Sequence, residues 1–282
     1  MKDTILFGDC RKTISTITEP VKMCVTSPPY YGLRDYGGED NQIGMEESPE
    51  KYVDQLVDVF RSVKEVLTDD GTLWLNIGDS YYNYRSDGNY PKQTVSKTNQ
   101  DLPSFSPVRG NKLQGYKSKD LIGIPWMLAF ALRKDGWYLR QDIIWNKPNP
   151  MPESVKDRCT KSHEYIFLLS KSKNYYYDNE SIKEPTKEGE TTKNKRSVWT
   201  VNKKPYKGAH FATFPSELIE PCIKAGSQKG DIILDPFIGS GTTAMVAKSL
   251  GRYYIGCELH ESYNDLIQNR VSQYTINLED FV

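Results

Sequence analysis

The sequence has little that points outside a reducing compartment. Its five cysteines are far apart and form no C-x-x-C pair, so free thiols are expected and a zinc site is not. The longest uncharged apolar stretch, Leu121 to Leu132, has 12 residues, whereas a membrane span needs about 20. No secretion signal is evident near Met1. We therefore expect a cytoplasmic protein that binds no metal and crosses no membrane.

Net charge is also absent, with 37 basic and 37 acidic side chains among 282 residues, but the charge is uneven along the chain. It is −7 over residues 1–84 and −4 over 209–282, against +4 over 85–120 and +6 over 147–208. Within these positive regions, residues 85–120 and 178–208 lack sustained periodicity. We expect a single domain, 1–282, with basic insertions at 85–120 and 171–208. These are either solvated surface or contacts for a polyanion such as nucleic acid.

The regular structure that we predict alternates between strands and helices, and several strands are continuously apolar. This pattern predicts an α/β fold with a mostly parallel, doubly wound sheet covered on both faces. Ligands of such sheets bind beyond the carboxyl ends of the strands. The predicted strands are 22–26, 71–77, 138–145, 165–169, 231–235 and 253–257. The predicted helices are 52–67, one that begins with 124–132 and stops near Gly136, and 242–250.

One turn directly follows the strand 231–235 and opens a helix. Gly239 and Gly241 allow close backbone approach, and the helix N-terminus offers free N–H groups. Glu258 ends the next strand, where a carboxylate can accept hydrogen bonds from ribose hydroxyls. The phosphate loop ending in Gly-Lys-Ser/Thr and the third glycine of a dinucleotide fingerprint are both missing. The turn therefore predicts a nucleoside cofactor without phosphates, with an ordinary tight turn as the alternative.

A second turn, Ser27-Pro28-Pro29-Tyr30, follows the strand 22–26. The two prolines favour extended geometry and remove two backbone donors. A hydroxyl and carbonyl acceptors remain beside the Tyr30 ring, which suits a substrate NH₂ group and stacking on a base lifted from a duplex. The alternative is a simple polyproline-like turn.

Together the two turns resemble the amino-group DNA methyltransferases that use S-adenosylmethionine. Ser27-Pro28-Pro29-Tyr30 resembles that family's catalytic tetrad, and Asp235-Pro236-Phe237-Ile238-Gly239-Ser240-Gly241-Thr242 resembles its cofactor loop. The resemblance extends to Gly8-Asp9, to Leu73 through Ser80, to Trp145-Asn146-Lys147-Pro148 and to His210 through Pro215. Since the tetrad precedes the cofactor loop, the order is that of the permuted beta group, whose recognition region lies between them.

The resemblance implies a role for each matching residue. Gly239, Gly241 and Thr242 would contact the amino-acid part of the cofactor, Phe237 its adenosine side and Glu258 its ribose. Asp9 would lie near the adenine amine, with a turn-capping carboxylate as the alternative, while Glu258 could be only a solvated strand end. The predicted cofactor-binding residues are Gly8, Asp9, Phe214, Leu218, Asp235, Pro236, Phe237, Gly239, Gly241, Thr242 and Glu258, with a core role as the alternative for Phe214 and Leu218.

The implied reaction is methylation of an exocyclic amine in DNA. Such a nitrogen is a poor nucleophile, because its lone pair is delocalised into the ring. Hydrogen bonds from the amine to the Ser27 hydroxyl and the Pro28 carbonyl would hold it for transfer without a covalent intermediate. In the resembling family, Ser at this position usually accompanies cytosine N4, and Asp usually accompanies adenine N6. We therefore predict N4-cytosine methylation, with N6-adenine methylation as the alternative.

The expected partner is double-stranded DNA, and a second copy of the chain and a cognate restriction endonuclease are further candidates. The rival functions are an NAD-dependent oxidoreductase, which does not explain Ser-Pro-Pro-Tyr, a catalytically silent nucleic-acid-binding protein, and an RNA or protein amine methyltransferase. Cations in the basic insertions are the predicted DNA contacts. These are Arg109, Lys112, Lys195, Arg196, Lys203 and Lys204.

Overall fold

The computed structural model describes residues 1–32, 42–82, 113–186, 189, 191–203 and 214–272. Its strands are β1 (Thr4–Phe7), β2 (Val21–Thr26), β3 (Leu67–Ile77), β4 (Tyr138–Asn146), β5 (His163–Ser170), β6 (Glu184–Pro185), β7 (Thr192–Lys193), β8 (Val198–Thr200), β9 (Ile232–Asp235) and β10 (Tyr253–Glu258). Its α-helices are α1 (Cys10–Thr13), α2 (Pro49–Val66), α3 (Ile124–Lys134), α4 (Ser216–Gly226), α5 (Thr242–Ser249) and α6 (Asn264–Ser272).

Eight strands form one sheet in the order β1-β10-β9-β2-β3-β5-β4-β8. The five strands from β1 to β3 run parallel. β5 is antiparallel to both β3 and β4, and β8 runs parallel to β4 at the edge. The predicted α/β fold with a mostly parallel sheet is confirmed.

Helices cover both faces of this sheet, because its central strands are apolar on both sides. Along β2, Cys24 packs in one buried cluster with α2 and α3, while Met23 and Val25 pack in the other with α4, α5 and α6. This alternation follows from the two-residue period of a strand. No helix among the described residues is long and apolar enough to span a membrane.

Local sequence explains where the main helices begin. The Ser48 hydroxyl accepts a hydrogen bond from the Lys51 amide, and Pro49 occupies the first turn of α2. At α3, the Asp79 carboxylate accepts hydrogen bonds from the amides of Gly123 and Ile124. The contact ties this helix to the segment that follows β3.

Several elements differ from the sequence prediction. β3 begins at Leu67 rather than at residue 71, because its first residue pairs with Val21 ahead of a bulge. The second basic insertion, 171–208, is not wholly irregular, since it contains the β6–β7 hairpin and β8. β8 pairs with β4, so part of this insertion belongs to the main sheet, and Trp199 on β8 is buried. Most of the first insertion, 85–120, lies outside the described residues.

Candidate active site

The two turns identified in the sequence lie side by side at the carboxyl ends of two central strands. β2 and β9 are hydrogen-bonded parallel neighbours, with Met23 opposite Ile233 and Cys24 opposite Leu234. The turn after β2, which we call the catalytic turn (Ser27–Tyr30), and the turn after β9, the cofactor turn (Asp235–Thr243), therefore leave the sheet together. Ligands of parallel α/β sheets bind beyond the carboxyl ends of the strands.

The Asp235 carboxylate joins these two turns. Its Oδ1 accepts a hydrogen bond from Thr26 Oγ1 at 2.5 Å, and its Oδ2 accepts one from Thr243 Oγ1 at 2.5 Å. The Phe237 amide donates to Oδ1 as well. Asp235 is 1% exposed, and burial raises its pKa to about 6 against these hydrogen bonds. Although Asp235 is a predicted cofactor-binding residue, its carboxylate is occupied in fastening the turns to each other.

The cofactor turn ends at the N-terminus of α5 with backbone groups available to a ligand. Gly241 caps the helix with φ +80°, a left-handed conformation that favours glycine, and an added Cβ there would lie 3.0 Å from Ile267 Cγ2. In the described part of the chain, no side-chain hydrogen bond caps this end of α5. The Thr242 hydroxyl is buried, and no hydrogen-bond partner for its oxygen is found in the described part of the chain. An unsatisfied buried hydroxyl next to free helix N–H groups fits a polar ligand.

Glu258 lies beside the cofactor turn at the end of β10. One carboxylate oxygen accepts from the Gly239 amide at 3.1 Å, and the other accepts from the His260 amide at 3.1 Å. Burial raises the pKa of Glu258 to about 7, and the backbone hydrogen bonds oppose this shift. Glu258 is only 9% exposed, so the alternative of a solvated strand end does not describe it.

Gly8 and Asp9 follow β1, the neighbour of β10 in the sheet. The Gly8 amide donates to the Glu258 carbonyl, so this turn adjoins the cofactor turn. The Asp9 carboxylate caps α1 through the Arg11 amide and forms an ion pair with the Arg11 guanidinium. Burial would raise the pKa of Asp9, but these contacts with Arg11 hold it below its usual value. The capping alternative for Asp9 is therefore realised, and a contact with adenine stays a prediction.

The apolar residues predicted for the cofactor site differ in burial. Leu218 on α4 is fully buried in the core, which fits the alternative of a packing role, and its part in the cofactor site stays a prediction. Phe214, 9% exposed, belongs to the same core cluster. Phe237 is only partly buried and packs on the opposite cluster. The buried Pro236 lies between Asp235 and Phe237 in the cofactor turn.

The catalytic turn is held by side chains from other elements. The Tyr52 hydroxyl on α2 donates to the Pro29 carbonyl at 2.7 Å. Pro28 is buried, whereas Ser27 and Tyr30 are partly exposed. The Ser27 hydroxyl lies 3.5 Å from the Tyr30 hydroxyl, which donates to Glu164 Oε2 at 2.7 Å. Burial and the Glu164 charge raise the pKa of Tyr30 well above its ordinary value, so its hydroxyl stays protonated at neutral pH.

Glu164 and its ion-pair partner Lys147 are site residues that the sequence analysis did not select. Lys147 lies in the quoted Trp145–Pro148 motif, but no role followed from that motif. The signal that could have found them is the pairing of β4 with β5, which sets Trp145 opposite Glu164. That register depends on tertiary structure.

The predicted DNA contacts are only partly described. Lys195 forms an ion pair with Glu184, and its ammonium lies over the Trp199 ring, so its charge is partly used inside the protein. Arg196 is exposed, and the Lys203 backbone pairs with the Asn149 side chain. The remaining predicted contacts lie outside the described residues. These are Arg109, Lys112 and Lys204.

Comparison with known proteins agrees with this arrangement. A family model described as DNA methylase, of the N6/N4 type, matches residues 21–269 and so includes both turns. The chain belongs to this DNA methylase family. The family resemblance drawn from the two turns is thereby confirmed.

Curated relatives match along nearly the whole chain. Type II methyltransferase M.Cfr9I of Citrobacter freundii is 51% identical over 276 residues, covering 98% of this chain and 89% of the relative. Type II methyltransferase M.SmaI of Serratia marcescens is 52% identical over 269 residues, covering 95% and 90% respectively.

Solved structures share the fold at low sequence identity. The PvuII DNA methyltransferase, described as cytosine-N4-specific, matches with a TM-score of 0.70 at 18% identity, covering 99% of this chain and 90% of that one. A putative DNA modification methylase from Thermus thermophilus, solved with S-adenosyl-L-methionine, matches with a TM-score of 0.66 at 24% identity, covering 97% and 95%. These matches identify the architecture.

Proposed function

We propose that this DNA methylase transfers a methyl group from S-adenosylmethionine to the exocyclic N4 amine of cytosine at a specific site in double-stranded DNA. The observation that carries the proposal is the Asp235 carboxylate of the cofactor turn, which binds Thr26 directly before the catalytic turn and Thr243 within its own turn. It supports one site with a place for each reactant. Bringing two reactants together in the right orientation contributes up to about 7–11 kcal/mol to catalysis.

The cofactor turn fits S-adenosylmethionine. The Thr242 hydroxyl and the N–H groups of α5 suit the carboxylate of the cofactor's amino-acid part, and the Glu258 carboxylate suits its ribose hydroxyls. When bound, S-adenosylmethionine supplies a methyl group on a positively charged sulfur. The Thermus thermophilus methylase with a similar fold was solved in complex with S-adenosyl-L-methionine.

The catalytic turn fits the amine. Ser27 Oγ and the Pro28 carbonyl each accept a hydrogen bond from one N–H group of the amine. These two bonds turn the nitrogen lone pair out of the ring plane and toward the methyl carbon. The lone pair would form the new N–C bond as the C–S bond breaks with its electrons remaining on sulfur, and the methylated nitrogen would then give one proton to water. Tyr30 stacks on the flipped base, which is worth about 1–3 kcal/mol.

Cytosine N4 is favoured over adenine N6 by two observations. Ser27 stands where the resembling family usually has Asp in its adenine enzymes, and the PvuII structure with the same fold is described as cytosine-N4-specific. N6-adenine methylation is the second candidate, because the family model covers both chemistries.

The names of the relatives, Type II methyltransferases, support a cognate restriction endonuclease as a partner in the source cell. A homodimer stays a prediction.

Nucleoside analysis tests this proposal. Purified protein is incubated with double-stranded DNA and methyl-labelled S-adenosylmethionine, the DNA is digested, and the nucleosides are identified by mass spectrometry. We expect the label on N4-methylcytosine. A label only on adenine N6 would overturn the cytosine assignment in favour of the second candidate. A label on cytosine C5 would overturn the amine mechanism, because that reaction needs a cysteine nucleophile.

A further inference from the structure

Glu164 lies on β5, a strand that is antiparallel to its neighbours β3 and β4. β5 is antiparallel to β3, with Tyr165 opposite Ile77, so the first residues of β5 lie at the edge where β3 ends. β4 ends at this edge too, and the Lys147 amide donates to the Ser162 carbonyl. The sheet thus brings Glu164 and Lys147 together beside the catalytic turn.

Both charged groups of this pair are largely removed from solvent. The side chain of Glu164 is 16% exposed and that of Lys147 is 10% exposed, and Glu164 Oε1 pairs with Lys147 Nζ. Burial lowers the pKa of Lys147, while the Glu164 charge opposes this shift. A buried ion pair costs desolvation energy and contributes little net stability on average. Packing alone therefore does not explain why a charged pair stands here.

The other oxygen of Glu164 faces the catalytic turn and has two donors. Tyr30 OH donates to Oε2 at 2.7 Å, and Asn76 Nδ2 lies 3.4 Å from the same atom. Asn76 is itself fixed by a bond to the Tyr165 carbonyl. Space is tight, since a Cβ added at Gly78 would lie 2.8 Å from the Tyr30 ring and 3.2 Å from Glu164 Cδ. The carboxylate is held in one position.

These contacts set the direction of the hydrogen bonds that run from Ser27 through Tyr30 to Glu164. A carboxylate only accepts, so the single hydroxyl proton of Tyr30 goes to Glu164. The Tyr30 oxygen is then left to accept from the Ser27 hydroxyl, with 3.5 Å between the two oxygens. Among the described residues no hydrogen bond donated to Ser27 Oγ is found, so its lone pairs are available to an amine donor. Without the carboxylate, Tyr30 could donate to Ser27 and turn the Ser27 proton toward the substrate.

We propose that Glu164, held by Lys147, is a positioning residue that acts through Tyr30 to keep Ser27 Oγ as a hydrogen-bond acceptor for the target amine. The inference rests on the proposed function, because it concerns the orientation of that substrate. It adds a residue 134 positions from Tyr30 that neither turn contains.

A double-mutant cycle on methyl transfer tests this role. Glu164→Gln replaces the carboxylate with an amide that can donate to Tyr30, and Tyr30→Phe removes the hydroxyl while keeping the ring. Each is expected to lower kcat about tenfold, which is the effect of losing one oriented hydrogen bond. The double variant is expected to fall no further than the less active single variant, because Glu164 acts only through Tyr30. Dissociation constants for S-adenosylmethionine should stay within about twofold of wild type.

Three further variants separate positioning from folding. Glu164→Asp keeps a carboxylate and should recover part of the lost kcat. Glu164→Gln combined with Lys147→Gln leaves no unpaired buried charge, so it should fold as wild type and still show the low kcat. Asp3→Asn, in the half-buried ion pair with Lys248 remote from the two turns, is the matched control and should leave kcat unchanged. Circular dichroism and the unfolding temperature check folding.

The outcomes distinguish this inference from the proposed function. If wild-type protein methylates no cytosine N4 or adenine N6, the proposed function fails and takes the inference with it. If wild type is active, the inference is overturned when Glu164→Gln keeps kcat within about twofold, or when the two single effects multiply in the double variant. A loss confined to variants with a lowered unfolding temperature also overturns it.

Discussion

The cofactor turn and the catalytic turn leave neighbouring strands, but different forces hold them. The cofactor turn is shaped by its own backbone, with a left-handed glycine at Gly241 and carboxylates at Asp235 and Glu258 that bind nearby amides and hydroxyls. The catalytic turn depends on side chains from elsewhere, namely Tyr52 on α2 and Glu164 on β5. The cofactor turn is thus held by its backbone geometry and by contacts with the neighbouring strands β2 and β10, whereas the catalytic turn is held by side chains of more distant elements.

This difference suggests that the two turns have separate roles, one toward the cofactor and one toward the substrate. A turn set by its own backbone presents fixed N–H groups to a cofactor common to many enzymes. A turn oriented by distant side chains can be adjusted to its substrate through those side chains. The Asp235 carboxylate, bonded to Thr26 and Thr243, keeps the two turns in register.

Breaking the cofactor turn at Gly241 should have the largest effect. Gly241→Val forces a β-branched residue to φ +80° and pushes its Cβ against Ile267, a combination that costs about 2–6 kcal/mol from strain and overpacking. We expect S-adenosylmethionine affinity to fall at least about 30-fold, measured by isothermal titration. The catalytic turn should be unaffected, so DNA affinity should match wild type. Equal loss of DNA affinity would show that the turns are not separable.

Removing the link between the turns should damage both of them. Asp235→Asn leaves an amide that cannot accept hydrogen bonds from both Thr26 and Thr243, a loss of about 1–3 kcal/mol. We expect both cofactor affinity and kcat to decrease. Replacement of a fully exposed acid, Asp69→Asn, is the control and should change neither quantity.

The same variant should alter the pH dependence of stability. The pKa of Asp235 is raised from 3.8 to about 6, so the folded state binds more protons than the unfolded chain between these values. This carboxyl therefore lowers the free energy of unfolding as pH rises from 3.8 to about 6. Urea denaturation across this range should show a smaller decline for Asp235→Asn than for wild type. An identical decline in both would contradict a buried, titrating Asp235.

Glu258 allows the cofactor turn to be tested by pH alone. With a raised pKa of about 7, its carboxyl is mostly protonated at pH 6 and mostly ionised at pH 8. If only the ionised form accepts both ribose hydroxyls, S-adenosylmethionine affinity should rise about tenfold between pH 6 and pH 8. Glu258→Gln should bind weakly at both values and without this rise. A rise that persists in the variant would assign the titration to another group.

The smallest expected effects concern the basic insertion. DNA affinity should fall with salt, and neutralising a phosphate-contacting cation should reduce the logarithmic slope by about 0.9. Because Lys195 pairs with Glu184 while Arg196 is exposed, Arg196→Ala should change the slope more than Lys195→Ala. Filter binding at several salt concentrations measures both. Equal slopes for wild type and Arg196→Ala would place the DNA interface elsewhere.

The sequence predicted the local structure before both turns, since β2 was expected at 22–26 and lies at Val21–Thr26, but it did not predict the contacts around the catalytic turn. The strand before the cofactor turn, its glycines and α5 are contiguous, and their predicted bounds differ from the structure by one residue at most. The order of strands and the network around Tyr30 were not predictable in this way, because both depend on which strands pair.

Other elements escaped prediction for local reasons. β8 has only three residues within a basic, glycine- and proline-containing segment, and it forms because Trp199 is buried against the edge of the sheet. α4 contains Pro221, which normally disfavours a helix interior, yet burial of its apolar face outweighs that cost. In both cases tertiary packing overrides local propensity.

The most direct test of the account is Ser27→Ala, assayed for cofactor binding and for methyl transfer in a single turnover. The dissociation constant for S-adenosylmethionine should stay within about twofold of wild type, because the hydroxyl acts on the amine alone. The single-turnover rate should fall about 10²–10³-fold, as when one oriented transition-state hydrogen bond is lost. An unchanged rate, or a loss of cofactor affinity that matches the loss of rate, would contradict separate roles for the two turns.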